Sequence, residues 1–288
     1  MPVPPARYRL APVVSRHVEE SRRMIQAAAE SVAPRRAVVL GAGNCAEIPL
    51  ASLAARFDEI VINDVDEKLL AQGLAAAGLD EASRAKIRLH VADLTGVTET
   101  LLAKIASALA ETLGAEAALE SMARLLDDEP LPGARIEGAY DLVIASCVLS
   151  QLHFALLHRA GDLFAQRFPG ELETLRASVR WTKALFDMAR RMESRLIDEL
   201  AGLAAEGGLI YLSESAQMCY VKLVALDHWE TEGTYRMLRT QDITDYLDRR
   251  FAPIARGRWH WVVSPPEKVG DVGRMFDVQA VVVRLSGA

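Results

Sequence analysis

A doubly wound, mostly parallel seven-stranded α/β sheet with helices on both faces is the fold this sequence predicts, on three observations. Short β-branched runs alternate with helical stretches between residues 37 and 93, and such alternation builds a parallel sheet from crossover units. The first run ends in Gly41-Ala42-Gly43, glycines placed where a strand must turn sharply into a helix. Two late runs, residues 259–264 and 276–286, have no helical stretch between them, which makes them an antiparallel pair closing the sheet.

The elements follow in order. Residues 15–31 carry Val18, Ile25 and Ala28 at helical spacing and stop at Pro34. AVVLGAGN, 37–44, is a buried strand meeting a tight turn. Residues 46–56 predict a helix, with Pro49 tolerable only in its first turn. EIVIND, 59–64, is the second strand, 66–77 the second helix with Asp66 as its cap, and IRLHVAD, 87–93, the third strand. Residues 98–127 interrupt the pitch, with Leu101, Ile105, Leu109 and Leu113 as a helical stripe before the polar loop DDEPLPG. Strand four is YDLVIAS, 140–146. A helical region, 150–205, broken at Pro169-Gly170, leads to strand five, GGLIYLSE, 207–214.

Composition narrows the function classes. The chain has 288 residues, 51% apolar and 25% charged, enough to bury a core without disulfide or metal staples. Its net charge of −6 argues against a nucleic-acid binder, which carries excess positive charge. No run of 18 apolar residues and no signal-peptide core is visible, so the expectation is a cytoplasmic protein without membrane contact. Cys45, Cys147 and Cys219 are far apart and form no CxxC, so neither a zinc ribbon nor a dithiol redox site is supported and no metal is expected. Of 17 aromatic residues only Tyr8 and Phe57 precede Tyr140. The second half thus holds the flat side chains that line organic-ligand pockets or fill a core, and the expected partner is a small-molecule substrate.

Gly41 and Gly43 would let a ligand approach the main chain closely, beside the free N–H groups of a helix start. Asp64 closes strand two, 21 residues after Gly43, where a nucleoside-binding sheet places an acid to accept both ribose hydroxyls. Asp93 closes strand three. It is read either as the partner of a base's exocyclic amine or as a turn residue before Thr95-Gly96.

AVVLGAGNCAE, IVINDVDEKLL, RLHVADLTG and YDLVIASCVLSQL, in this order and pitch, resemble the class I S-adenosylmethionine-dependent methyltransferases. The resemblance covers residues 37–151 well, and 207–214 and 276–286 loosely. It implies a Rossmann-like methyltransferase fold and S-adenosyl-L-methionine as cofactor. The loop Gly41, Ala42, Gly43 and Asn44 would cradle its methionine part. Asp64 with Val65 would bind the ribose end, Asp93 with Leu94 the adenine, Ser146 and Cys147 would also contact the cofactor, and the segment from Ser146 to Gln151 would face the substrate. It implies a single methyltransferase domain over 1–288, with an N-terminal helical cap at 1–33 and helical insertions at 94–138 and 152–205. Two positions depart from the family loop: Val39 stands where an acid is common, and Cys45 replaces a third glycine, a change of little cost if the backbone there is ordinary.

Gly41 to Ala46 also fits G-x-G-x-x-[G/A], the fingerprint of an NAD(P)-binding oxidoreductase. The strand-four segment, the late hairpin and the lack of a Tyr-x-x-x-Lys pair favour methyl transfer. The further alternatives are a fold relative that has lost catalysis, and a protein or RNA methyltransferase. Ala145-Ser146-Cys147-Val148 stands where amino- and amide-methylating relatives carry an Asn-Pro-Pro-Tyr type stretch. Asp141 begins strand four rather than ending it, unlike metal-assisted catechol methylators. Candidate bases are His153, His158, Glu214 and His228, with His153, Glu214 and His228 preferred. Candidate substrate contacts are Gln151, Tyr220 and Trp229. Following strands one, four and five, the three cysteines should converge on one edge of the sheet.

Overall fold

The structure, a computed structural model, describes residues 16–133, 136–225, 228–236 and 250–285. Its elements are α1 (His17–Glu30), β1 (Arg36–Leu40), α2 (Leu50–Arg56), β2 (Glu59–Asp64), α3 (Glu67–Ala76), α4 (Glu81–Ala85) and β3 (Ile87–Val91). Then come α5 (Thr98–Glu111), α6 (Ala115–Asp128), β4 (Tyr140–Ser146), α7 (Phe154–Arg167), α8 (Leu172–Ala177) and α9 (Val179–Leu203). The chain ends in β5 (Ala204–Ala225), β6 (His228–Arg236), β7 (Phe251–Ser264) and β8 (Val272–Leu285).

The strands lie in the order β3-β2-β1-β4-β5-β8-β7, with β6 pairing β5 off that path. From β3 to β5 the pairing is parallel; β8, β7 and β6 run antiparallel to their neighbours. β1 and β4 are almost wholly buried, which is why both read as continuous apolar runs rather than alternating ones. Alternate residues feed two cores. Val38, Leu40, Val143 and Ala145 face α5, α6, α7 and α9, while Val39, Ile62, Leu142 and Ile144 face α1, α2 and α3. Buried Asp141 ties the starts of β1 and β4 together. It accepts from the Arg36 N–H at 3.0 Å and the Arg35 guanidinium at 2.7 Å, at the amino ends of these two central strands.

Several expectations need correction. The sheet has eight strands, not seven. The extra one, β6, reads HWETEGTYR, too polar to announce a strand. β5 spans 22 residues rather than eight; one face of its far half is only half-buried and carries Tyr220 and Lys222, so no continuous apolar run marks it. The helix expected from residue 46 starts only at Leu50, with Pro49 at its cap. Leu113 is 94% exposed because α5 has already ended at Glu111. The cysteines do not converge: Cys219 packs with Val221, Trp229, Val262 and Met275 in a third, separate cluster. Asp66 caps α3 as expected, accepting from the N–H groups of Lys68 and Leu69. No described helix is long and apolar enough to cross a membrane.

Candidate functional site

Strand order reverses at β1, whose neighbours are β2 and β4, and ligands of open α/β sheets bind beyond the carboxyl ends of the strands at such a point. A cleft of about 450 Å³ opens there, within the range of roughly 300–1,000 Å³ typical of small-molecule pockets. Gly41, Gly43, Asp64, Val65, Asp93, Leu94, Cys147 and Gln151 line it. Four strand ends thus bring eight of the residues singled out in the sequence to one place.

Two glycines shape the loop for different reasons. Gly41 has φ +62°, and a Cβ there would lie 2.4 Å from Val148 Cγ2. Gly43 has φ +51° and no atom within 4 Å of a would-be Cβ, so its main chain stays open to an approaching ligand. Cys45 occupies the place of a third glycine at φ +57°. The backbone there is therefore not ordinary, and a side chain in this left-handed region costs about 1–2 kcal/mol.

Asp64 Oδ2 accepts the Gly43 N–H at 2.7 Å and Oδ1 accepts the Asp66 N–H at 3.0 Å. The acid at the end of β2 thus pins the glycine loop while still facing the cleft. The Val65 side chain beside it is 68% exposed, an apolar surface suited to the flat face of a base. Asp93 is more fully engaged. Both its oxygens accept from the Thr95 hydroxyl, Oδ1 accepts the Thr95 N–H, and Oδ2 accepts the Thr98 N–H at 3.0 Å. Burial opposes its charged form, but the Thr95 and Thr98 hydrogen bonds prevail and hold the carboxyl below its ordinary range. The turn role is thus occupied, leaving little free acceptor capacity for an exocyclic amine.

Other expected site residues lie elsewhere. Asn44 and Cys45 line a separate recess behind the loop with Arg22 and Gly73, and Ala42 is buried in the α1-side core. Ser146 turns from the cleft and donates to Glu47 Oε2 at 2.5 Å. His153 is 1% exposed, with neither ring nitrogen hydrogen-bonded, and burial lowers its pKa; it does not line the cleft. Glu214 is buried, accepting the Ser150 N–H at 3.0 Å and its neighbour Ser215 N–H at 2.8 Å. That makes it a tie between β5 and the turn after β4. Trp229 is buried in the third cluster, and Tyr220 lies half-exposed on β5 opposite Arg274. His228 opens β6; its side chain lies outside those described.

The sequence reading missed the cleft's outer wall. Glu99 of α5 and Arg159 of α7 both line it and pair through the two terminal guanidinium nitrogens, which donate to the two carboxylate oxygens, joining two helices at its mouth. No motif marks either residue; the one available signal was that Glu99 follows directly on the Asp93 turn.

No protein-family model matches the chain, and no curated protein matches it. Solved structures similar to it include the N-methyltransferase NodS from Bradyrhizobium japonicum WM9 in complex with S-adenosyl-L-homocysteine. It has 10% identity, coverage of 93% of this chain and 87% of that one, and a TM-score of 0.41. TehB from Haemophilus influenzae has 10% identity over 92% of this chain and 62% of its own, with a TM-score of 0.43. The glycopeptide N-methyltransferase MtfA complexed with S-adenosyl-L-methionine has 10% identity, 94% and 87% coverage, and a TM-score of 0.39. Likeness at this level does not carry over to chemistry.

Proposed function

We propose that the chain is an S-adenosylmethionine-dependent methyltransferase acting on a small organic molecule. One observation carries the reading: the acid ending β2 and an open glycine turn after β1 meet through the Gly43 N–H···Asp64 hydrogen bond of 2.7 Å, at the wall of a cleft at the switch point. The donor set suits a nucleoside with a polar tail. Asp64 keeps lone pairs for ribose hydroxyls, Val65 and Leu94 offer apolar surface to a base, and Gly43 leaves room for the tail over the main chain. The cofactor would supply an electrophilic methyl group on a sulfonium. The chain's residues would bind and orient it and exclude water, with Arg159 and Glu99 closing the outer side. The helices between β3 and β4 and between β4 and β5 are read as caps over one catalytic unit, housed in a cytoplasmic protein.

A nicotinamide enzyme is less well supported. A full dinucleotide fold continues its parallel sheet on the far side of the switch point to a third strand. Here β5 is followed by antiparallel β8 and β7. Calorimetric titration separates the two: binding of S-adenosylmethionine and S-adenosylhomocysteine with little response to NAD is expected. Tight NAD binding without a response to either would overturn the proposal.

A further inference from the structure

Behind Cys147, a wall residue of the cleft, and within 4.8 Å of its thiol lies the carboxylate of Glu47. Glu47 follows the glycine loop and is 21% exposed. Its Oε2 accepts from Ser146 Oγ at 2.5 Å, and Ser146 in turn lies 3.1 Å from Ser213 Oγ. Its Oε1 lies 2.8 Å from Nε2 of His17, the buried first residue of α1. The state of that imidazole follows from its other nitrogen. Trp259 Nε1–H, which can only donate, gives its hydrogen bond to His17 Nδ1 at 2.9 Å. Nδ1 therefore carries no proton, the ring is neutral, and its hydrogen sits on Nε2 facing Glu47, out of line for a full hydrogen bond.

The same logic disposes of a metal. His17, Glu47 and Cys147 bring ligand atoms within 4.8 Å of one another. A metal on Nε2 would need the lone pair that the proton occupies, and burial, then the charges of Glu214 and Glu47, raise the Cys147 thiol well above its usual range. What remains is a partly covered carboxylate whose hydrogen-bonding neighbours are a hydroxyl and an imidazole, and a carboxylate shielded from water is ordinarily given a cationic partner. Among the described residues, no Lys or Arg nitrogen lies within 4 Å of Glu47. The hydroxyls of Tyr211 and Ser21 are also buried without a well-formed hydrogen bond, and Glu47 and Ser21 both act on the Tyr211 hydroxyl.

An aromatic wall extends from the His17 ring that faces this carboxylate. The His17 ring stacks on Trp261 at 4.3 Å, and Trp261 meets Phe276 at 5.6 Å. Trp261 pairs Phe276 across β7 and β8, and Phe276 pairs Met218 across β8 and β5. Met218 and Tyr220, two apart on one strand, share their face. All four are only half-buried. A carboxylate joined through one imidazole to partly open aromatic faces is the chemistry that receives an ammonium group on an apolar body.

We propose that Glu47, with the wall of Trp261, Phe276 and Tyr220, forms a binding site for a protonated amine. The inference rests on the methyltransferase reading only for the origin of that amine, which is either the amino end of the bound cofactor or an amine acceptor. Glu47→Gln keeps the shape of the side chain and removes its charge. Wild type and variant are titrated with S-adenosylhomocysteine and with methylthioadenosine, which lacks the amino-acid part. Their S-adenosylhomocysteine-saturated forms are then titrated with tryptamine. Tenfold or greater weakening of S-adenosylhomocysteine with methylthioadenosine unchanged assigns the site to the cofactor's amine. Unchanged nucleoside binding with tenfold or greater loss of tryptamine assigns it to an acceptor. Equal binding of all three probes by both proteins, or no tryptamine binding with S-adenosylhomocysteine unaffected, overturns the proposal. A wild type that binds neither nucleoside overturns the methyltransferase reading instead, and the tryptamine titration of the free protein then decides the site. Should Glu47→Gln unfold the protein, the wild type is compared with tryptamine and indole-3-propionate, one ring system with opposite charges. A tenfold preference for the amine supports the site, and equal binding overturns it.

Discussion

Replacing Asp64 by Ala should have two separable consequences, because the structure gives its carboxylate two roles. In the protein alone it accepts N–H groups from Gly43 and Asp66 at 2.7 and 3.0 Å. A hydrogen bond to a charged group contributes about 1.5–3 kcal/mol. Asp64 is half-buried, however, and water can reach the freed N–H groups, so both bonds together should come to about 1.5–3 kcal/mol. For a chain of this size that lowers the melting temperature by roughly 3–10 °C. Toward a nucleoside, loss of the ribose acceptor should cost about 1.5–3 kcal/mol, a weakening of roughly 10- to 150-fold. Asp64→Asn sharpens the test. Its amide nitrogen would set a donor against one of the two backbone donors, so it should melt nearly as low as Asp64→Ala while keeping one acceptor for the ribose. Thermal unfolding and titration with S-adenosylhomocysteine read the two effects on the same samples. A variant that melts lower yet binds within about threefold of wild type would refute the reasoning and leave Asp64 a loop anchor only.

Cys45→Gly should be more stable than Cys45→Ala, by about 0.5–1 kcal/mol in chemical denaturation, because glycine alone relieves the left-handed backbone at φ +57°; the opposite order would place the strain elsewhere. Burial, aided by the Asp64 charge, pushes the Cys45 thiol up to about 11, so about one part in a thousand is thiolate at pH 8. Both Cys45 and Cys147 should therefore alkylate far more slowly than free cysteine. Bound S-adenosylmethionine should slow Cys147 further, since it lines the cleft, and leave Cys45 unchanged; quantitative mass spectrometry of iodoacetamide labelling checks both. The Asp93 carboxyl is held below its ordinary range in the folded protein, so its stabilising contribution is complete above the unfolded pKa near 4 and disappears as pH falls through the lower folded value. The melting-temperature gap between wild type and Asp93→Asn should accordingly shrink below about pH 4, and a gap independent of pH would remove the charge from the account.

Legibility followed the physics of each element. β2 and β4 have the expected bounds, Glu59–Asp64 and Tyr140–Ser146, because a strand buried on both faces must be an uninterrupted apolar run. β6 and the far half of β5 are held largely by pairing with neighbours remote in sequence, which local composition does not encode. The site divides the same way. Gly41, Gly43, Asp64, Asp93 and Cys147 sit at strand ends, so locating the strands locates them. Glu99, Arg159 and His17 reach their places on helices, and which face a helix turns toward a ligand depends on packing that no short motif records.

The glycine loop shows why a missing glycine need not mean a missing site. At Gly41 two demands coincide, a left-handed backbone and a 2.4 Å conflict between any Cβ and Val148, and no side chain can meet the second. At Cys45 only the first applies. Its side chain is 5% exposed and packs behind the loop, so burial offsets part of the backbone strain. Cys147 repeats the pattern at the end of β4, with φ +50° and a buried thiol. Among the described residues these two cysteines are the only non-glycine residues with positive φ. They stand after the two strands that flank the switch point, where the chain must turn away from the sheet to leave the cleft open. A small, weakly polar side chain suits such a turn when the space behind it is apolar and the space before it belongs to a ligand. The departure at Cys45 therefore alters what packs behind the loop and leaves the face that Gly41, Gly43 and Asp64 present to the cleft intact.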